Sequence, residues 1–119
     1  MRNFRKLEVW RLASEVADEI YRRSTGIKGP DRFELVSQLI RASDSIGANI
    51  AEGAGRESKR DYARFLTYAL GSTNEVDHFL AAAERRGLLS GMDFKSIHDD
   101  VDHVRRMLLR LRSPVRDGA

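Results

Sequence analysis

The chain has 119 residues, which is the size of a single domain with a substantial hydrophobic core and too few for a second independent domain. It contains no cysteine, which excludes disulfide frameworks, thiolate metal sites and cysteine nucleophiles, and which suits a reducing compartment. Lysine and arginine number 21 against 18 acidic residues, and this formal charge of +3 is only a weak indication of a nucleic-acid partner.

The first predicted element is an amphipathic helix over residues 7–24, because apolar residues recur there at spacings of three and four. Its apolar stripe consists of Leu7, Trp10, Ala13, Val16, Ala17, Ile20 and Tyr21. Two glycines and a proline within residues 25–30 end this helix. Asp31 and Glu34 then have the spacing of a capping box that starts the next helix.

The second predicted helix covers residues 32–54 and stops at the glycines Gly53 and Gly55. Its apolar stripe consists of Phe33, Val36, Leu39, Ile40, Ser43, Ile46 and Ile50. The second half of this helix carries little side-chain bulk, so a neighbouring helix can approach it closely. The small residues are Ala42, Ser43, Ser45, Gly47, Ala48 and Ala51.

The third predicted helix covers residues 59–86, with Ser58 placed three residues before Asp61 as its capping residue. Its stripe consists of Tyr62, Phe65, Leu66, Ala69, Leu70, Thr73, Val76, Leu80 and Ala83. Near its middle, Gly71 and Ser72 form a small pair, which we expect to face the small half of the second helix.

The fourth predicted helix covers residues 93–112, after a glycine-bounded connection over residues 87–91 and before Pro114. Its stripe consists of Phe94, Ile97, Val101, Val104, Leu108 and Leu111. Four amphipathic helices with short connections predict an all-α domain over residues 1–119, an antiparallel up-down-up-down four-helix bundle. No segment has an apolar core long enough for a signal or a membrane span, so we expect a cytoplasmic protein without a membrane partner.

The most distinctive motif of the chain is residues 37–53, SQLIRASDSIGANIAEG. Three further motifs accompany it in order: residues 4–10, residues 65–75 with an Ala-Leu-Gly-Ser core, and the Gly-Leu-Leu turn at residues 87–89. Together they resemble a bacterial family of four-helix bundles that is named for open reading frames in intervening sequences of 23S ribosomal RNA genes. The resemblance covers nearly the whole chain.

This resemblance implies a four-helix bundle that assembles as a ring-like homopentamer. It also implies a fold related to the accessory variability determinant of diversity-generating retroelements, which binds nucleic acid and a reverse transcriptase. We therefore expect a homo-oligomeric adaptor whose partners are copies of itself, RNA or DNA, and a protein such as a reverse transcriptase. The alternative is a purely structural or protein-interaction module that does not bind nucleic acid.

Two groups of basic residues lie off the apolar stripes and are candidate nucleic-acid contacts, since arginine can bind phosphate oxygens through two hydrogen bonds. The group around the start of the third helix is Arg56, Lys59, Arg60 and Arg64. The group on the fourth helix is Arg105, Arg106, Arg110 and Arg112. The competing interpretation is a solvated, capping or salt-bridged surface, because Glu57 and Asp61 lie among the first group and a helix C-terminus favours arginine.

A second set of candidates is structural. Four polar residues next to small residues are expected to form a buried hydrogen-bond network that fixes helix register or a subunit interface: Arg41, Asn49, Glu52 and Glu75. Trp10 and Phe65 lie on core stripes. Tyr68 and Phe79 lie about one helix position off the stripe of the third helix, where they can face a partner subunit or stack on bases.

An enzymatic interpretation has little support in the sequence. The pairs Glu75 with His78 and Asp100 with His103 have the spacing that di-iron bundles use, so a metal-binding bundle is a distant third hypothesis. Core residues next to both histidines turn them towards the surface, however. No catalytic triad, phosphate-binding glycine loop or nucleotide motif is present. We therefore expect a protein without catalytic residues, cofactor or metal.

Overall fold

The computed structural model describes residues 2–30 and 32–117, and every regular element in this part of the chain is helical. The four α-helices are Glu8–Ser24 (α1), Ser37–Ala54 (α2), Lys59–Arg85 (α3) and Gly91–Asp117 (α4). Short 3-10 and π-helical turns precede α1 and α2 at Phe4–Lys6 and Arg32–Val36. The predicted all-α fold is confirmed. The predicted capping residue Asp31 lies outside the described residues.

The helices form an antiparallel bundle in which each helix packs on its neighbours in the chain and α1 packs on α4. At one end, the main-chain N–H of Arg2 donates to the carbonyl of Ala54 over 3.1 Å, so the start of the chain lies beside the end of α2. At the other end, the guanidinium of Arg23 pairs with Asp93, so the end of α1 lies beside the start of α4. This arrangement has the predicted up-down-up-down order, and it measures 48 × 20 × 19 Å.

The core follows the predicted apolar stripes, and burial of each large aliphatic side chain contributes roughly 1.5–3 kcal/mol. The largest fully buried side chains include Ile20, Leu39, Ile46, Ile50, Leu66, Leu80, Ile97 and Leu108. Tyr21 and Phe33, which the periodicity places on stripes, are instead 58% and 81% exposed. For Phe33 the cause is the π-helical turn, whose wider winding does not keep the spacing of an α-helix. In the described part of the chain, no helix has the length and hydropathy that a membrane span requires.

The most extensive contact between helices joins α2 and α3, and small residues make it possible. A Cβ atom at Gly53 would lie 2.8 Å from the Cβ of Phe65, which is too close for any side chain. About two helix turns away along α2, the hydroxyl of Ser45 donates to that of Ser72 over 2.7 Å. The expected contact between small faces is therefore present at Ser72, whereas Gly71 has open space around it and takes no part.

The ends of α3 and α4 partly depart from prediction. Ser58 caps α3 as expected, accepting the N–H of Asp61 over 3.0 Å, and Gly87 ends it with a left-handed φ of 72°. The predicted bounds of the last helix are wrong, because α4 begins at Gly91 and continues through Pro114. Proline removes one main-chain donor, but Val115 beyond it still packs against the core.

Candidate nucleic-acid interface

The start of α3 and the end of α4 lie side by side because the two helices are antiparallel. There, Nη1 of Arg112 donates to Oγ1 of Thr67 over 3.3 Å. Three exposed cations of α3 line the same surface, so the structure joins one member of the second predicted basic group to the first group. We call this cluster the basic end; it consists of Arg56, Lys59, Arg60, Arg64 and Arg112.

The N-terminal segment ties the chain to the basic end, which sequence analysis did not predict. The guanidinium of Arg2 donates to the carbonyl of Arg56 over 3.0 Å and lies 4.0 Å from the centre of the Tyr62 ring. Burial raises the pKa of Tyr62, while the charge of Arg2 acts in the opposite direction. The sequence shows three basic residues within the first six positions. Only the fold shows that one of them, Arg2, hydrogen-bonds to the connection between α2 and α3.

The cations of the basic end are only partly neutralised by carboxylates. Arg56 pairs with Glu52 over 2.6 Å, and Arg64 pairs with Asp61 over a longer 3.3 Å. Both pairs join residues three or four apart at the surface, where an ion pair contributes about 0.2–1 kcal/mol and exchanges readily for another anion. Arg60 is exposed and forms no ion pair with any described residue. The basic end therefore keeps positive charge that the described carboxylates do not compensate.

Two aromatic rings lie among these arginines on α3. The guanidinium carbons of Arg56 and Arg64 lie 4.7 and 5.2 Å from the centre of the Phe65 ring, within cation–π range. The ring of Tyr68 meets Phe65 edge-on, with centres 5.3 Å apart, and 46% of Tyr68 is exposed. Phe65 is half-buried and Trp10 packs against Phe4 and the core, as expected for residues on core stripes.

The remaining arginines of the second basic group are placed differently from one another. The guanidinium of Arg105 pairs with Asp77 of α3 and with Asp102, 3.0 Å away, and its side chain is only 20% exposed. Arg106 lies 3.5 Å from Asp102, and Arg110 is exposed without an ion pair to any described residue. Arg105 therefore joins α3 to α4, whereas the role of Arg106 and Arg110 as nucleic-acid contacts stays a prediction.

A separate surface runs along the contact between α2 and α3. Residues at spacings of three and four on each helix face the same side, and the Ser45 to Ser72 hydrogen bond joins the two rows. We call this surface the α2/α3 face; its candidate residues are Arg41, Asn49, Glu52, Tyr68, Glu75 and Phe79. Phe79 is half-buried, so part of its ring is available to a partner.

The expectation that four of these residues are buried is wrong within the chain. Arg41, Glu52 and Glu75 are exposed, and only Asn49 is half-buried, with its Nδ2 donating to the carbonyl of Ser45 over 2.9 Å. Small neighbouring residues allow the two helices to pack closely. These four residues lie at the edge of the contact between the helices, however, so one side of each remains open to solvent. A role in a subunit interface stays a prediction for all six residues of the face.

The two histidines of the di-iron hypothesis lie at the surface, as expected from their core neighbours. His78 and His103 are both exposed, and His78 lies edge-on to Phe79. Within the described residues, no three histidine, aspartate or glutamate side chains are grouped so that they could hold a metal ion. The histidine that does pair with a carboxylate is His98, whose Nδ1 lies 3.0 Å from Oδ1 of Asp77.

Comparison with known proteins agrees with the motifs and the fold. The family model described as 23S rRNA-intervening sequence protein matches residues 5–110. The chain belongs to this family. A protein with unknown function from the S23 ribosomal protein family of Bacteroides thetaiotaomicron VPI-5482 is similar in structure, with a TM-score of 0.82 and 25% sequence identity. The similarity covers 88% of this chain and 98% of that one. No curated protein matches the chain.

Proposed function

We propose that this member of the 23S rRNA-intervening sequence family is a non-enzymatic, homo-oligomeric adaptor that binds RNA or DNA through its basic end. The observation that carries this proposal is the convergence of arginines from α3 and α4 at one end of the bundle. Arg60 there has no carboxylate partner among the described residues. The absence of cysteine suits a cytoplasmic setting, in which nucleic acid is accessible.

The physical basis of binding would be the release of counterions from phosphates. Each phosphate that a lysine or arginine neutralises makes the fall of log affinity with log salt steeper by about one. The exchangeable pairs of Arg56 and Arg64 can give up their carboxylates to a phosphate at small cost. Several such contacts on a surface of mobile side chains favour backbone binding with little sequence preference.

Self-assembly would multiply this weak attraction. A ring-like homopentamer, which the family resemblance implies, would present five basic ends to one polynucleotide and raise its overall affinity. The part of the α2/α3 face that lies farthest from the basic end is the best supported contact between copies, because it combines the half-buried ring of Phe79 with opposite charges on Arg41 and Glu75 and leaves Tyr68 uncovered. Neither charge has an ion-pair partner among the described residues, so each can pair with a second copy.

The first experiment is a mobility-shift titration of structured RNA, single-stranded RNA and duplex DNA at two salt concentrations. The variant Arg60→Gln with Arg64→Gln should bind at least tenfold more weakly at low salt, with a salt slope reduced by about two. The matched control is Lys28→Gln with Lys95→Gln, which removes the same charge at the opposite end and should bind like the parent protein. Equal losses in both variants would contradict a localised basic end.

The mass of the protein in solution tests self-assembly separately. Glu75→Arg should reduce the mass towards that of the monomer by reversing a charge at the proposed contact, and Glu75→Gln, which only removes the charge, should reduce it less. An unchanged mass in Glu75→Arg would remove the α2/α3 face from the proposal. An intact oligomer that binds no nucleic acid at low salt would instead favour a module for protein partners, of which a reverse transcriptase is one expected class.

A further inference from the structure

Tyr68 is an exposed ring at the edge of the basic end. It is 46% exposed, and the guanidinium carbon of Arg64 lies 5.9 Å from its ring centre, near the outer limit of a cation–π contact. Phe65 has arginines near its ring at 4.7 and 5.2 Å, so its faces are more occupied. Tyr68 is therefore the aromatic ring at this end that has a face free for a flat partner.

The other exposed aromatic side chains lie elsewhere and lack this setting. Tyr21 and Phe33 line a shallow groove where α1 ends and α2 begins, at the opposite end of the bundle. No arginine lies over either ring among the described residues. The combination of an exposed ring with neighbouring guanidinium groups is thus a property of the basic end, and it goes beyond what solubility or helix capping requires.

Charge and aromatic rings select different features of a nucleic acid. Arginine side chains attract the phosphates of duplexes and single strands alike. An aromatic ring gains only when a base can leave its stack and lie against it, and stacking of one base on such a ring is worth roughly 5- to 150-fold in affinity. Fully paired duplexes keep their bases covered, whereas loops and single strands expose them.

Building on the proposed function, we infer that the basic end binds unpaired nucleotides, with the base stacked on Tyr68 and the adjoining phosphates held by Arg60 and Arg64. The spacing supports this division of roles, since Arg60, Arg64 and Tyr68 follow one another at intervals of four on the outer side of α3. RNA and DNA share this chemistry. The site therefore distinguishes paired from unpaired strands, and the sugar is left to other contacts.

The test is fluorescence anisotropy with the full chain and four probes at one salt concentration: a single-stranded RNA, a single-stranded DNA and the duplex of each. The parent protein should bind the single strands more tightly. Tyr68→Leu should weaken single-strand binding about 5- to 150-fold and leave duplex binding and the salt slope unchanged. Tyr68→Phe should retain the parent affinity. Tyr21→Leu is the matched control, because it makes the same change at an exposed tyrosine of the opposite end.

Several outcomes would overturn the inference. The inference is wrong if the parent protein binds single strands and duplexes with equal affinity. It is also wrong if Tyr68→Leu loses as much affinity for duplexes as for single strands. A lower particle mass for Tyr68→Leu would assign the ring to a subunit contact instead. These results leave the proposed function intact as long as the Arg60→Gln and Arg64→Gln variant loses affinity. Absence of binding to all four probes would instead contradict the proposed function itself.

Discussion

The contact between α2 and α3 and the contact between α1 and α4 represent two different ways to join helices. The first is the most extensive in the bundle. The absence of a side chain at Gly53 lets α2 approach Phe65 so closely that a Cβ atom at this position would overlap the Phe65 side chain. The second is the least extensive of the four contacts between adjacent helices, and the pairing of Arg23 with Asp93 fastens one end of it. A groove of about 310 Å³ lies along it, lined partly by Glu15, Glu19 and His103.

The α2 to α3 contact is stabilised by the fit of side chains, whereas the α1 to α4 contact depends partly on ion pairs. Close packing depends on the volume of each side chain, so it is sensitive to a single added methyl group and insensitive to salt. Exposed ion pairs tolerate changes of shape but weaken as salt and protons screen or neutralise them. The same chain should therefore respond to mutation at one contact and to solution conditions at the other.

The largest expected effect is at the α2 to α3 contact. Gly53→Ala should lower the free energy of unfolding by about 1–3 kcal/mol, because the new Cβ would overlap Phe65 and force the helices apart. Gly71→Ala is the control, since nothing lies within 4 Å of its Cβ position and an interior helical glycine is replaced by a better helix former. Urea unfolding should show a loss for the first variant and a gain of up to about 1 kcal/mol for the second. Similar shifts in both would show that helix propensity, not packing, controls Gly53.

A smaller effect is expected where α1 meets α4. Arg23→Gln should lower the free energy of unfolding at low salt by less than Gly53→Ala does, because it removes exposed pairs with Glu19 and Asp93. Arg22→Gln is the matched control and should cost less, since Glu19 of the same helix is the one carboxylate that Arg22 pairs with among the described residues. The loss of stability in Arg23→Gln should shrink in 1 M salt, because the Debye length there is only about 3 Å and exposed ion pairs are weakened. The loss in Gly53→Ala should not change with salt. A salt-independent penalty would indicate that Arg23 acts through packing of its stem.

The smallest effect is expected from protons at Glu19. Hydrogen bonds from Arg22 and Arg23 lower the pKa of Glu19, against the opposing influence of burial. Its contribution to stability is therefore complete above the ordinary glutamate pKa and is lost as the pH falls through the lowered value of the folded state. The difference between the parent protein and Glu19→Gln should be a few tenths of a kcal/mol at neutral pH and should vanish in strong acid. A difference that persists there, measured by thermal unfolding, would contradict this assignment.

The fold was largely predictable because helical periodicity is a local signal. The stripes that contain Ile20, Ile46 and Leu80 placed the core correctly. The errors arose where a local rule competed with packing. Pro114 predicted the end of α4, but Val115 still finds a place against the core and the helix continues. Phe33 followed an α-helical spacing that the π-helical turn does not have.

The candidate interface was predictable only in part, because it depends on which helices meet. Sequence spacing identified the basic groups but kept them apart, and the antiparallel order of α3 and α4 placed Arg112 beside Thr67. The partner of Arg105 was also out of reach, because Asp77 lies 28 residues away on another helix. The sequence does not predict that Arg41 and Glu75 are exposed. Small neighbouring residues indicate that two helices approach closely, but they do not determine which side of each helix the other one covers.

The order of helix contacts also has a kinetic consequence. Three of the four contacts join helices that follow one another in the chain, so they close short loops and lose little chain entropy as they form. Only α1 and α4 are far apart in sequence, and theirs is the least extensive of these contacts. We expect the bundle to fold by successive hairpins of helices, with the contact of α1 and α4 forming last and opening first.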